Sequence, residues 1–333
     1  MPYKLAVIGV GKISLASHIP AALASPLVSL AAFVDPDVKR AKSFADEFGL
    51  DIEIAARIGD LKGSVDGALI AAPNHLHAPL AIECLENGLD VLIEKPLAST
   101  VAEGRAITEA EQKTGKTVSV GYCTRHYPNY RLFKDLLARQ YFGRVHKFAY
   151  QFGTPGGWST FSNYLMDRQT VGGGVLVVTG THFLDRMLDL FGFPDELSLQ
   201  DDSLGGPEAN ARLLMSFGEG ETQIQGYAHF SKSAKLRSGM VLDTEKGHVL
   251  LADNQTDLTL YPHDSPDIAL KLHRTAPGRQ RANQFQLQIE DFVHSCRNGQ
   301  PPAVSARDGL LSLELLEAAY ANRRAFAENW FEE

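Results

Sequence analysis

The feature that most constrains this chain is a short apolar strand that runs into two glycines and leaves them as a helix. Lys4-Leu5-Ala6-Val7-Ile8 reads as a buried strand, and the helical pattern over 13–24 begins only a few residues later. Between them lies Gly9-Val10-Gly11-Lys12-Ile13-Ser14. Gly9 permits a tight turn, Gly11 lets the backbone approach a pyrophosphate, and the small residue at Ser14 lets helix and strand pack closely. Free N–H groups and the helix dipole at such a turn favour negative charge. The unit then repeats without the glycines. Val28–Val34, Gly67–Ala71, Leu89–Ile93 and Thr117–Val120 read as strands. Helical stretches over Pro36–Phe48, His77–Asn87 and Thr100–Thr114 alternate with them, closed by Gly49, Gly88 and Gly115. Uncharged strand cores separated by helices predict a parallel sheet covered on both faces, a doubly wound α/β fold.

Beyond Gly121 the pattern changes. Arg144–Phe152, Ala211–Phe217, Thr222–His229, Ser238–Asp243 and Gly247–Ala252 read as strands, several alternating apolar and polar residues. Tight turns at Gly218-Glu219-Gly220 and Glu245-Lys246-Gly247 predict an open, mainly antiparallel meander with one solvated or partner-covered face. Helices are expected over Gly173–Phe191, Asn283–Cys296 and Arg307–Phe326. A chain of 333 residues accommodates about two domains at roughly 150 residues each. The expected division is a Rossmann domain at 1–121 and an α+β domain at 122–333.

Charge and cysteine usage remove several function classes. The formal net charge is −8, and no basic stripe accompanies it, so nucleic acid and anionic membranes are not expected partners. Residues 1–12 lack the pattern of a secretory signal. The odd, widely spaced Cys84, Cys123 and Cys296 predict free thiols in a reducing cytoplasm. His75 and His77 have no third ligand at metal spacing, so no metal is expected, and Cys123 lacks the partner pattern of a nucleophile.

Two clusters carry chemistry. Asp35 ends the second strand about 20 residues after Ser14, where an acid binds the adenosine ribose hydroxyls. A carboxylate there favours NAD over NADP, with Lys39 and Arg40 close enough to soften the preference. Glu94-Lys95-Pro96 follows the strand Leu89–Ile93 at the carboxyl edge, where open α/β sheets place ligands. Pro96 holds Lys95 extended, and a lysine there can polarise a hydroxyl or carbonyl oxygen. Downstream, His182, Asp185 and Asp189 share a helix face at i, i+3 and i+7. His182 is the sensible acid or base of the three.

These residues resemble the Gfo/Idh/MocA family (glucose–fructose oxidoreductase, inositol dehydrogenase and relatives). The likeness lies in Gly9-x-Gly11, Ala72-Pro73-Asn74 followed by His77, Glu94-Lys95-Pro96, Gly172-Gly173-Gly174, Gly180-x-His182-x-x-Asp185, and the closing Arg297-Asn298-Gly299…Pro302…Asp308-Gly309. It implies an NAD(P)-dependent oxidoreductase moving a hydride between nicotinamide and a secondary alcohol or ketone of a sugar, sugar derivative or cyclitol. The implied catalytic pair is Lys95 and His182. The cofactor-binding residues would be Gly9, Gly11, Lys12, Ile13, Asp35, Arg40, Ala72, Pro73, Asn74, His77, Glu94, Lys95 and Pro96, with a cis peptide before Pro96. Arg125, His126, Trp158, Arg168 and Asp185 would contact substrate, and Tyr122 is a looser candidate. Many family members carry an Asp one turn before the histidine, and here that position is Val178. Some relatives use transient oxidation to enable elimination, which keeps open an NAD-dependent glycoside-cleaving enzyme, and the missing acid at Val178 keeps open a non-catalytic dinucleotide- or sugar-binding regulator. The open sheet predicts a homodimer or homotetramer.

Overall fold

The computed structural model describes residues 1–156, 172–203, 207–254, 256–274 and 283–326. The first six strands are β1 (Tyr3–Ile8), β2 (Val28–Val34), β3 (Glu53–Ala55), β4 (Gly67–Ile70), β5 (Asp90–Ile93) and β6 (Val118–Val120). They form one parallel sheet in the order β3-β2-β1-β4-β5-β6. Strand order reverses between β1 and β4, and the crevice outside their carboxyl ends is where such sheets bind ligands. The strands are buried on both faces, β4 along its whole length. Helices α1 (Ile19–Ala24), α2 (Val38–Glu47), α3 (His77–Glu86) and α4 (Val101–Thr114) connect them. Asp37 caps α2, and Thr100 with Glu103 forms a capping box on α4.

The second sheet has nine strands. After α5 (Pro128–Ala138) come β7 (Val145–Gly153), β8 (Glu196–Asp201), β9 (Asn210–Phe217), β10 (Ile224–Ser231), β11 (Leu236–Thr244), β12 (Gly247–Ala252), β13 (Leu258–Pro262) and β14 (Leu270–Lys271). β15 (Arg323–Ala325) follows near the chain's end. The order is β14-β13-β12-β11-β7-β10-β9-β8-β15. The two tight turns do join antiparallel pairs, β9 with β10 and β11 with β12. A simple meander is nevertheless corrected, because β7 inserts between β10 and β11 and runs parallel to β10. One face of this sheet packs on α5 and α6 (Thr181–Phe191) through Phe133, Phe148, Tyr150, Phe183 and Phe230. The other face exposes Leu214, Tyr227 and Tyr261.

Helices α7 (Gln284–Asn298) and α8 (Ala306–Ala321) return to the first sheet. Ile289, Phe292 and Val293 join the core that holds β1 and β2, while Val304, Ala306 and Leu313 join the one beneath β4 and β5. Val120 N–H donates to Val304 O at 3.0 Å, so the strand edge and the returning segment share backbone bonds. Helix α8 meets α4 and β6 of the first half and α6 and β8 of the second, and so ties the two sheets together, while α7 packs on the first.

Candidate active site

The glycine turn closes on itself through side chains. Gly9 has φ +86°, and a Cβ there would lie 2.8 Å from Ala72 N, so the turn presses against the end of β4. Ser14 is buried and its Oγ donates to Gly9 O at 2.7 Å. That bond accounts for a hydroxyl where the pattern has Gly or Ala. A Cβ on Gly11 would meet nothing within 4 Å. The turn is thus packed on its protein side and open on its ligand side, which fits a pyrophosphate at the first helix.

Asp35 faces the same turn with a fully engaged carboxylate. It accepts from Val10 N–H at 2.9 Å and Asp37 N–H at 2.9 Å. Arg40 Nη2 donates to both oxygens, at 2.7 and 2.9 Å. Four hydrogen bonds from three nitrogens engage the acceptor sites of one carboxylate, and the guanidinium offsets the charge that would repel a 2′-phosphate.

Glu94-Lys95-Pro96 is pinned from three directions. The first helix opens as a π turn, Ser14–His18, in which Ile19 N–H reaches Ser14 O five residues back. Pro20 explains it: proline offers no N–H and crowds the carbonyl of residue 16. His18 ends that turn, 1% exposed, with Nε2 2.7 Å from Glu94 Oε1. The other Glu94 oxygen accepts from Lys95 N–H at 3.0 Å. Burial would raise the Glu94 pKa, but the His18 contact and the Lys95 ammonium outweigh it and hold it at about 2. Across the groove, a second π turn, Leu176–Gly180, precedes α6. Its start is anchored by Glu208, which accepts from Leu176 N–H at 3.1 Å and Tyr320 OH at 2.7 Å. Lys95 Nζ donates to Val178 O at 2.7 Å. The residue that lacks a side-chain acid thus offers its backbone oxygen to the lysine. Finally, the Lys95–Pro96 peptide is cis, and His77 places one ring nitrogen 2.7 Å from Pro96 O and the other 2.9 Å from Ala72 O. Burial lowers its pKa while the two carbonyl contacts oppose, and the ring braces the Ala72-Pro73 turn against the Lys95 loop. Asn74, on the same turn, is buried.

His182 opens α6 on the far wall of the groove. It is half-buried, its Nδ1 enclosed without a hydrogen-bond partner, and its ring meets Tyr122 edge-on at 5.9 Å. Burial, then the Lys95 ammonium, push its pKa down to about 3. Burial also lowers the Lys95 pKa, with Glu94 opposing. The site therefore pairs an unprotonated imidazole with a desolvated ammonium whose first acceptor is a carbonyl oxygen.

Several residues expected at a substrate surface turn inward instead. Arg125 is 6% exposed. It grips Asp185 with Nε at 2.8 Å and Nη2 at 2.7 Å, and reaches Asp189 at 3.0 Å and Asp308 at 3.4 Å. That hub ties the helix of His182 to α8. Asp185 is raised to about 6 by burial despite Arg125. His126 is buried and accepts from Arg131 Nη2 at 2.9 Å, and Tyr122 is fully buried. Trp158 and Arg168 lie outside the described residues. Burial and Glu94 push the Cys123 thiol up to about 12. Among the described residues no group of three or more side chains could hold a metal ion, and no helix is long and apolar enough to cross a membrane. His18 was missed by sequence reasoning, because its partner lies 76 residues away. Pro20 within a helix pattern was the signal available.

A Rossmann sheet with an open glycine turn and a lysine at its carboxyl edge, facing a histidine on the helix packed against a second open sheet, defines a dinucleotide-dependent oxidoreductase. Residues 3–122 match the family model for the oxidoreductase family with an NAD-binding Rossmann fold, and residues 130–249 match the GFO/IDH/MocA C-terminal domain. The chain belongs to the GFO/IDH/MocA family. It is 24% identical to the rhizopine catabolism protein MocA of Rhizobium meliloti, covering 95% of this chain and 94% of that protein. It is 36% identical to an inositol 2-dehydrogenase of Rubrobacter xylanophilus, over 34% of this chain and 33% of that enzyme. It shares the fold of a levoglucosan dehydrogenase solved with NADH and levoglucosan, with a TM-score of 0.85 at 19% identity and 97% coverage of each chain.

Proposed function

We propose that this enzyme oxidises a secondary alcohol, or reduces the matching ketone, of a sugar, sugar derivative or cyclitol. The observation that carries the reading is Lys95, tethered to Val178 O, with the half-buried His182 ring within its electrostatic reach. The named activities of the inositol and levoglucosan dehydrogenases support the substrate class. When bound, the nicotinamide exchanges a hydride with the substrate carbon. Lys95 keeps two N–H donors beyond the one given to Val178 O, and these stabilise the developing alkoxide. His182, unprotonated at neutral pH, takes the hydroxyl proton during oxidation and returns it during reduction. The nucleotide end would be held by Gly9, Gly11, Lys12 and Ile13, with Asp35 bracing the turn through Val10 N–H and holding Arg40 at the ribose end. Ala72, Pro73, Asn74, Glu94 and Pro96 flank the nicotinamide, and His77 braces them. Arg125 and Asp185 act as positioning residues for α6.

The division near residue 121 separates the cofactor-holding part from the part that carries His182, although α7 and α8 pack back across it. The enzyme works in the cytoplasm as a homodimer or homotetramer, with a second copy covering the open sheet. A groove of about 720 Å³ there, lined by Leu214, Met215, Tyr227 and Val241 among others, supports this arrangement. The test is a thermal-shift screen of NAD and NADP, each alone and with sugars and cyclitols. A ligand present at about 100 times its Kd adds about 2.7 kcal/mol of stability. One dinucleotide and one polyol should raise the melting temperature together. A chain that no dinucleotide stabilises would overturn the proposal.

A further inference from the structure

The His18–Glu94 contact pins the loop, yet the reaction described above gives His18 no part. His18 is buried at the end of the first π turn, its ring edge against Phe285 with centroids 5.1 Å apart. Its Nδ1 is enclosed without a hydrogen-bond partner. A ring kept only to fill space would be better replaced by a hydrocarbon, because an enclosed polar atom without a partner is destabilising. What the imidazole gains for that cost is one short bond, 2.7 Å, to a carboxylate whose side chain is 11% exposed. The charged and titratable neighbours of that carboxylate are His77 on α3, Lys95 on the same loop, Cys123, and His182 on α6.

We infer that His18 is a positioning residue for the reaction: it locks the Glu94 carboxylate beside Lys95 and His182. The inference rests on the roles given to those two residues above. With Val178 contributing no acid, Glu94 is the carboxylate that faces the lysine–histidine pair, and its orientation is fixed from the cofactor helix. Cofactor-helix position and proton handling are thereby coupled through one hydrogen bond.

The test compares His18→Leu, which removes the donor, with His18→Gln, which keeps an N–H at similar reach. For His18→Leu, kcat should fall about tenfold or more. KM and the NADH Kd, read by fluorescence titration, should stay within about threefold, because the lost contact acts on the chemical step. The acid limb of the kcat–pH profile should move with it, and His18→Gln should recover about a third or more of the lost rate. In a Glu94→Gln background, His18→Leu should add less than about twofold, since coupled residues are not additive. If His18→Leu does not fold, His18→Asn, too short to reach Glu94, takes its place. An unchanged rate and pH profile, equal losses in Leu and Gln, or full additivity with Glu94→Gln would each overturn the role of His18 alone. A wild type that binds NADH but turns over no polyol or ketone overturns the functional proposal as well.

Discussion

Gly9 and Gly11 stand two residues apart and do different work. Gly9 holds a left-handed backbone with its missing Cβ against the β4 end. Gly9→Ala should therefore lower unfolding stability by about 1–3 kcal/mol, read by urea denaturation. Gly11 faces open space, so Gly11→Val should leave stability within about 0.5 kcal/mol yet weaken NADH binding about tenfold or more, as a side chain there occupies the pyrophosphate position. Equal effects on folding and binding at both sites would contradict the division. At this scale the sequence was readable where chemistry is local, as in the turn and in Glu94-Lys95-Pro96. It was opaque where a partner is distant: the bond from His18 to Glu94 and the burial of Arg125 under three carboxylates depend on chain-distant packing.

Among the elements, the long, strongly patterned ones were legible and the short ones were not. β3, β14 and β15 have three, two and three residues, too few for alternation to register. α5 carried a start signal, Pro128 at its first position, that went unused. The helix expected over 307–326 instead ends at Ala321, and Arg323–Ala325 turns into β15 beside β8. The one over 173–191 is interrupted by the π turn that presents Val178 O. Helix α6 is held by the Arg125 hub, and Arg125→Met would leave the buried Asp185 without its cation, while Asp189 keeps Lys134 at 2.6 Å. Removing one partner of a buried pair costs about 3–5 kcal/mol, so the urea midpoint should drop accordingly. A loss under about 1 kcal/mol would show that α6 does not depend on the hub.

For the whole molecule, the parallel sheet and its carboxyl-edge groove followed from strand periodicity, whereas the insertion of β7 between β10 and β11 required knowledge of distant pairing. The exposed face of the second sheet makes a prediction at this scale. Leu214, 48% exposed, and Tyr227, 38% exposed, lie within the proposed contact. Leu214→Glu should reduce an oligomer to the 36.4 kDa monomer in light scattering; a wild type that is already monomeric would refute that contact. Acid tolerance is a second global property. His182 and His126 are both pushed down to about 3, mainly by burial and nearby cations. Between about 6.5 and 3 the unfolded chain therefore binds protons that the folded chain refuses. Asp185, raised to about 6 by burial, takes up a proton on folding and opposes part of this, but two imidazoles outweigh one carboxyl, so stability should fall as pH drops through that window, read as melting temperature against pH. A flat profile between neutrality and pH 4 would contradict the burial of both rings as unprotonated imidazoles. The most direct test of the central claim, that Lys95 acts on the reacting oxygen, is the kinetics of Lys95→Ala beside its NADH affinity. Turnover should fall by about 10²–10⁴-fold while the NADH Kd stays within a few-fold; turnover at the wild-type rate would contradict the account.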